Sequence, residues 1–436
     1  MTKRLMLLVL LNVLVSEASA KAIQVLPGHD TLNTALSNST DGDTILLVDG
    51  VYTLSGQLEI DKQITLRSIS PNIKPQINLR GQDVYIGGQA EILIQGIKVI
   101  GGKNTYINTQ IVLVNNEIYV NNFSIGDGNN NVSSAIIVGN HIETGSLISI
   151  GTRTQNLIFA GNSYKGGTLI ANATAGNHIL GNQFDFYLNN SNGINSSYPS
   201  QIVGNRIIVS ADNRLTEDRY ARGIYVASSA SVLNNLIELR GTDNPNRTTL
   251  GRFEGIYASG VATINNNLVI VTDTIGTSVS QASIGYGILM YAPGRATNNM
   301  IVGRGMLGMA APEFVEMRNN LCFNNGNKLT DDNPPADQCV SDSRNIIADP
   351  QFAELTNFTL SADSPAVDAG DPELRFTDLD GSRADIGLHG GPLGFLQYDS
   401  QRAPSDKPYL YPLFDQIDLS NIEAVNLEVI SVARFK

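Results

Sequence analysis

IIVGNHIETGSLISIGTRTQNLIFAGNSYKGGTLIANATAGNHILGNQF, residues 136–184, carries the pattern that decides the fold. Three times in this stretch a Gly-Asn turn precedes a short strand-forming run: GNHI from Gly139, GNSY from Gly161 and GNQF from Gly181. Outward from it the pattern persists. It reads NNEI from Asn115 on one side, and GNRI from Gly204, NNLI from Asn234, NNLV from Asn266, NNMI from Asn298 and NNLC from Asn319 on the other. Successive second-position asparagines are 24, 22, 20, 23, 30, 32, 32 and 21 residues apart.

A period just above 20 residues is what one coil of a parallel β-helix consumes, and such coils stack about 4.8 Å apart. A single coil cannot bury its apolar face, but a stack can. Asn suits the recurring turn because its amide donates to one neighbouring coil and accepts from the other, and because it tolerates left-handed backbone angles. These asparagines read as structural. Leucine-rich repeats share the period but need a leucine consensus that is missing here. The expected fold is an all-β, right-handed, single-stranded parallel β-helix of about 10–12 coils. At its start, Leu32, Ala35 and Leu36 suit an amphipathic helix that covers the open first coil. Asp41-Gly42-Asp43 then turns into a strand from Thr44 to Val48.

Composition agrees with this. Charged residues make up 16% of the 436, aromatics 6%, and there is no Trp. That mixture suits short strands with tight turns. The N-terminus MTKRLMLLVLLNVLVSEASA has a basic start, a short apolar run and a small-residue cleavage site. It reads as a secretory signal over 1–20, which places the protein outside the cytoplasm, secreted to the periplasm or the medium. Residues 21–394 are then the β-helix with its caps, and 395–436 a linker-like tail in which Ala424 to Phe435 alternates as a strand would. No later stretch has the roughly 18 apolar residues of a membrane span, so no membrane insertion is expected after signal cleavage. The net charge of −12 argues against nucleic acid as a partner. Cys322 and Cys339 are expected to form one disulfide in an oxidising compartment. A monomer is expected.

Both ends carry a resemblance. The opening LNTALSN…DGDTILLVDGVYTLSGQLEIDKQITLRS, 32–68, resembles that of polysaccharide lyases of the chondroitinase-B and alginate-lyase type. The block IIADPQFAE…NFTLSADSPAVDAGD…DLDGSRADIGLHGG, 346–391, is similar to the closing segment of secreted bacterial β-helix proteins, where it often precedes a surface anchor. The resemblance implies an extracellular polysaccharide as partner, and β-elimination if the chain is an enzyme. It sets Arg153 where the lyases place a catalytic Lys. The following coil, TLIANATAGNHILGNQF, carries no Arg or Lys at the corresponding place, and GSLIS supplies no acidic calcium ligands.

The interval change locates the candidate site. Three coils lengthen to 30–32 residues, and their Gly-led strands GIYV, GIYA and GILM start at Gly223, Gly255 and Gly287 in steps of 32. Equal spacing puts equivalent residues above one another, with the inserted loops on one side. Tyr225 and Tyr257 should face outward, with Tyr291 one column along. They read either as a platform for sugar rings or as a satellite core beneath the loops. Arg222 and Glu254 become neighbours. They read either as an ion pair or, with Arg252 and Arg219 nearby, as a uronate clamp with Glu254 moving a proton. Asp212, Asp243 and Asp273, one per loop, are candidate Ca²⁺ ligands, with plain solvated loop acids as the alternative. His29, His141, His178 and His389 show no metal-ligand spacing. A non-catalytic surface or adhesion protein is the alternative to a polysaccharide-binding or polysaccharide-degrading one.

Overall fold

The computed structural model describes residues 20–88, 91–211, 220–240, 252–271, 285–303, 306–323, 325, 339, 342–394, 409–414 and 427–432. The chain is a parallel β-helix whose coils lay strands on three faces, and the parallel crossovers take the right-handed sense that strand twist favours. The first face is a sheet of 13 strands running from Ala22–Val25 to Glu316–Arg318. This exceeds the 10–12 coils expected from the turn asparagines. The four earliest rungs, through Ile92–Gln95, precede Asn115 and have no Asn-marked turn to announce them. The second face follows each turn, as in His141–Thr144 and Ser163–Gly166, and the third completes the coil, as in Ile148–Ile150 and Leu169–Ala171.

Strand alternation fills the interior. Thr44–Leu47 buries Ile45 and Leu47, and the Ile45 column continues with Leu66, Ile94 and Leu113 in successive coils. The helix Thr31–Asn38 lays Leu32 and Leu36 over the open end. Lys62 Nζ donates to the carbonyls of Leu36 and Ser37 at 3.0 and 2.9 Å, satisfying acceptors the helix end leaves free.

The asparagine ladder runs unbroken from Asn116 to Asn345. Asn267 illustrates one rung. Its Nδ2 donates to Asn299 Oδ1 at 2.9 Å and to the Val232 carbonyl at 2.8 Å. Its Oδ1 accepts from the amide and Nδ2 of Asn235 at 3.0 and 2.9 Å. Asn267 is 0% exposed, so each of these bonds replaces one that water can no longer make. The left-handed backbone falls on the preceding residue, Gly or Asn, with φ between 50° and 66° at every such turn from Asn115 to Asn319. The two Asn roles therefore separate: the first position bends the chain and the second ties the coils. Asn345 completes the ladder, accepting from Asn320, although nothing in its local sequence Arg344-Asn345 repeats the turn motif.

Beyond Ile346–Ile347 the chain turns back and lies along the flank of the later coils. Phe358, Ala366, Ile386 and Leu388 pack on the outward side of the second face, against Leu236, Leu268, Met300 and Leu321. The first-position asparagines bind this strap. Asn234 Nδ2 donates to the Leu388 and Gly390 carbonyls at 3.0 and 2.8 Å, and Asn266 Nδ2 to those of Asp385 and Gly387 at 3.0 and 3.2 Å. Asn298 Oδ1 accepts from the Asp371 amide at 2.7 Å. Arg318 anchors the strap's first turn through Asp371, 2% exposed, at 2.7 Å, and also pairs with Glu373. The segment that reads in the sequence as an end cap is thus a lateral brace. Cys322 and Cys339 are disulfide-bonded. In the tail, Leu427–Val432 pairs antiparallel with Tyr409–Phe414.

Candidate functional site

The third face of the later coils is formed by Tyr220–Val226, Arg252–Ala258 and Gly285–Met290. Their register sets Arg222 opposite Glu254, Tyr225 opposite Tyr257, and Ile224, Ile256 and Ile288 in one buried column. The glycines are required by space rather than by φ. A Cβ on Gly223 would lie 2.8 Å from the Gly255 carbonyl oxygen, and one on Gly255 would lie 2.5 Å from that of Gly287. At this point the burial alternation slips: Gly223 and Ile224 are both buried, after which Tyr225 faces out. The slip brings the outward Arg222 and the outward Tyr225 to the same patch of surface.

Arg222 is the hub of that patch. Its guanidinium carbon sits 3.9 Å from the centre of the Tyr220 ring, 4.0 Å from that of Tyr257 and 5.8 Å from that of Tyr225. Its Nε donates to Glu254, a carboxylate 2% exposed overall, while Arg222 keeps 16% side-chain exposure. The buried pair holds charge that would be costly unpaired, and the cation is flanked by ring faces that attract it. Around it the rings form a tilted series. Tyr225 and Tyr257 are 5.6 Å apart, and Tyr257 and Tyr291 are 5.5 Å apart. Tyr225 and Tyr257 are half-buried and Tyr291 is 55% exposed. Ser259 Oγ donates to the Tyr225 hydroxyl at 3.2 Å. Burial, with Tyr291 alongside, pushes the Tyr257 phenol above its ordinary value, so that ring is neutral near pH 7. Leu289, next in the Tyr225–Tyr257 column, is itself buried.

The residues singled out in the sequence distribute as follows. Arg222, Glu254, Tyr225, Tyr257 and Tyr291 come together. Arg252 is exposed at the strand start, in register with Tyr220. Arg153 lies apart, at the corner leading into Thr154–Ala160 three coils earlier, donating to the Asn129 carbonyl at 3.2 Å. Arg219, Asp212, Asp243 and Asp273 lie outside the described residues, and with them the loops. Among the described residues no group of three or more His, Cys, Asp or Glu is placed to hold a metal ion, and no helix is long and apolar enough to cross a membrane.

Three neighbours were not singled out. Tyr220 shares the outward side with Arg222 by strand alternation, a signal the sequence did offer. Asn192 and Asn195 precede Arg222 and Tyr225 in the same columns. The Oδ1 of each is buried and has no hydrogen-bond partner among the described residues.

No protein-family model and no curated protein matches the chain. Among solved structures it is similar to the crystal structure of the pectate lyase Pel9A, at 13% identity and a TM-score of 0.32, covering 84% of this chain and 96% of that one. A likeness at that level says nothing about what this chain binds.

Proposed function

We propose that the protein is exported and binds a uronate-containing polysaccharide on its third face, with sugar rings lying against Tyr225, Tyr257 and Tyr291. The observation that carries this reading is the tyrosine series itself, three rings in sequence with the Arg222 cation against Tyr225 and Tyr257. Rigid amphipathic rings offer stacking area with little entropy to lose. Arg252, exposed and in register with Tyr220, is the group to meet a carboxylate. Arg222 and Glu254 act as positioning residues: each neutralises the other, and together they fix the ring orientations. The disulfide supports an oxidising location, and the negative net charge disfavours nucleic acid. Ca²⁺ bridging through Asp212, Asp243 and Asp273 belongs to the same proposal, and a thermal shift on Ca²⁺ addition is its check.

The test is calorimetry with polygalacturonate, alginate and chondroitin on the wild type and on Tyr257→Ala. The variant should bind more weakly by about 1–2 kcal/mol, roughly 5- to 30-fold. Equal affinity would overturn the assignment. Absorbance at 235 nm during the same incubations separates binding from β-elimination, because only the latter creates an unsaturated uronate.

A further inference from the structure

The tyrosine column does not end at Tyr225. Register pairing carries it back through Asn195, Ile170, Ser149 and Ser124 to Tyr106 and then Tyr85. Tyr85 and Tyr106 are 36% and 42% exposed, on the same outward column of the same face, near the other end of the helix. The Tyr85 ring lies over Gly87, where a Cβ would stand 2.7 Å from its Cε1, so a glycine makes room for it. From Tyr85 to Leu289 the column makes eight steps of roughly 4.8 Å, about 38 Å in all.

Between the two pads the column runs through Ser124, Ser149, Ile170 and Asn195. Exposed Asp127 accepts from Ser124 and, at 3.5 Å, from Ser149. Asn195 supplies the unpartnered buried Oδ1 directly before Tyr225. No Lys or Arg stands in the column between Tyr106 and Tyr225. The exposed Asp127 carboxylate offers an acceptor to sugar hydroxyl donors.

We propose that Tyr85 and Tyr106 form a second sugar-binding pad, and that the ligand is one linear polysaccharide chain running parallel to the helix axis across both pads. The stretch between them recognises sugar hydroxyls, while carboxylate recognition is confined to the Arg252 end. This rests on the glycan-binding reading of the Tyr225–Tyr257–Tyr291 pad and deepens it. Two pads on one rigid strip act as linked sites. A chain long enough to reach both gains affinity that a short one cannot, whereas a short oligomer reports on a single pad.

The experiment measures affinity for long-chain polygalacturonate and alginate and for their trimers, on the wild type, Tyr85→Ala/Tyr106→Ala and Tyr85→Phe/Tyr106→Phe. The alanine pair should lose about tenfold or more on the long chains and nothing on the trimers, with an unchanged melting temperature. The phenylalanine pair keeps the ring faces and should bind nearly as the wild type does. Wild-type affinity of the alanine pair for the long chains would overturn the second pad and leave the first standing. Equal losses on chains and trimers would overturn the two-pad arrangement as well. A wild type that binds none of these glycans would instead overturn the glycan-binding reading itself.

Discussion

The coils between Asn115 and Asn205 and those between Asn234 and Asn320 share one ladder and differ in most of what surrounds it. The earlier coils take 20–24 residues, and four of their five turns put Gly at the left-handed position, from Gly139 to Gly204. Their second face carries charged and polar groups such as Glu117, His141 and Glu143. The later coils take 30–32 residues up to Asn299, all put Asn at the left-handed position, and present Leu236, Leu268, Met300 and Leu321 to the strap. Gly and Asn both bend the chain there, but only Asn offers an amide to a second layer. Asn115 shows the limit of the rule: it stands apart from the strap, with Oδ1 buried and unpartnered among the described residues. The difference teaches that the second turn residue holds the helix together, while the first, taken with the apolar second face, records what covers it.

The largest expected effect ignores the division. Asn267→Leu and Asn162→Leu should each cost about 4 kcal/mol, because each strands several buried donors and acceptors in the rungs on either side. Urea titration reads this directly, and a cost in only one region would mean the ladder is not the common element. Arg318→Ala should act on the later region alone. It leaves Asp371 buried and unpaired, a loss of about 3 kcal/mol expressed as faster amide exchange in 366–391 while the early coils keep their protection.

The strap should also answer to pH. Burial pushes Asp378 up to about 6, against the amides of Gly391 and Asp385 that donate to it. A carboxyl whose folded value exceeds its unfolded 3.8 is favoured when protonated. Its contribution is therefore greatest below the unfolded value and is lost as pH rises through about 6. Acidifying from pH 7 to 5 should tighten the strap by on the order of 1 kcal/mol after allowance for solvent screening, and Asp378→Asn should flatten that response. The smallest effect is Asn266→Gly, about 0.5 kcal/mol: relief of left-handed strain offsets part of the two lost bonds to the strap. Exchange in 385–390 should rise with the coil unchanged, whereas Gly161→Asn should change little.

Much of this was legible in the sequence. The second-position asparagines gave the coil and its period, and the 32-residue steps of Gly223, Gly255 and Gly287 the register that sets Arg222 against Glu254 and Tyr225 against Tyr257. The first four rungs were not countable, because their turns use other residues, Gly96-Ile97 among them, where Ile97 supplies the amide that Asn116 receives. The strap was not legible as a brace, since its contacts span more than a hundred residues and run from backbone carbonyls to turn asparagines. The Arg222 cage was half legible: strand alternation pairs Tyr220 with Arg222, but the slip at Gly223 that adds Tyr225 needs coordinates. Tyr85 and Tyr106 could not be aligned with Tyr225 by counting, because a register shift between Val99 and Gly102 breaks the spacing on the way.

Hydroxyl-radical footprinting of the tyrosines with and without bound polygalacturonate bears most directly on the third face as the ligand surface. Protection of Tyr225, Tyr257 and Tyr291, with Tyr119 and Tyr187 of the second face unchanged, is the expected result. Protection on the second face instead, or bound polymer with the three rings as reactive as before, would contradict it.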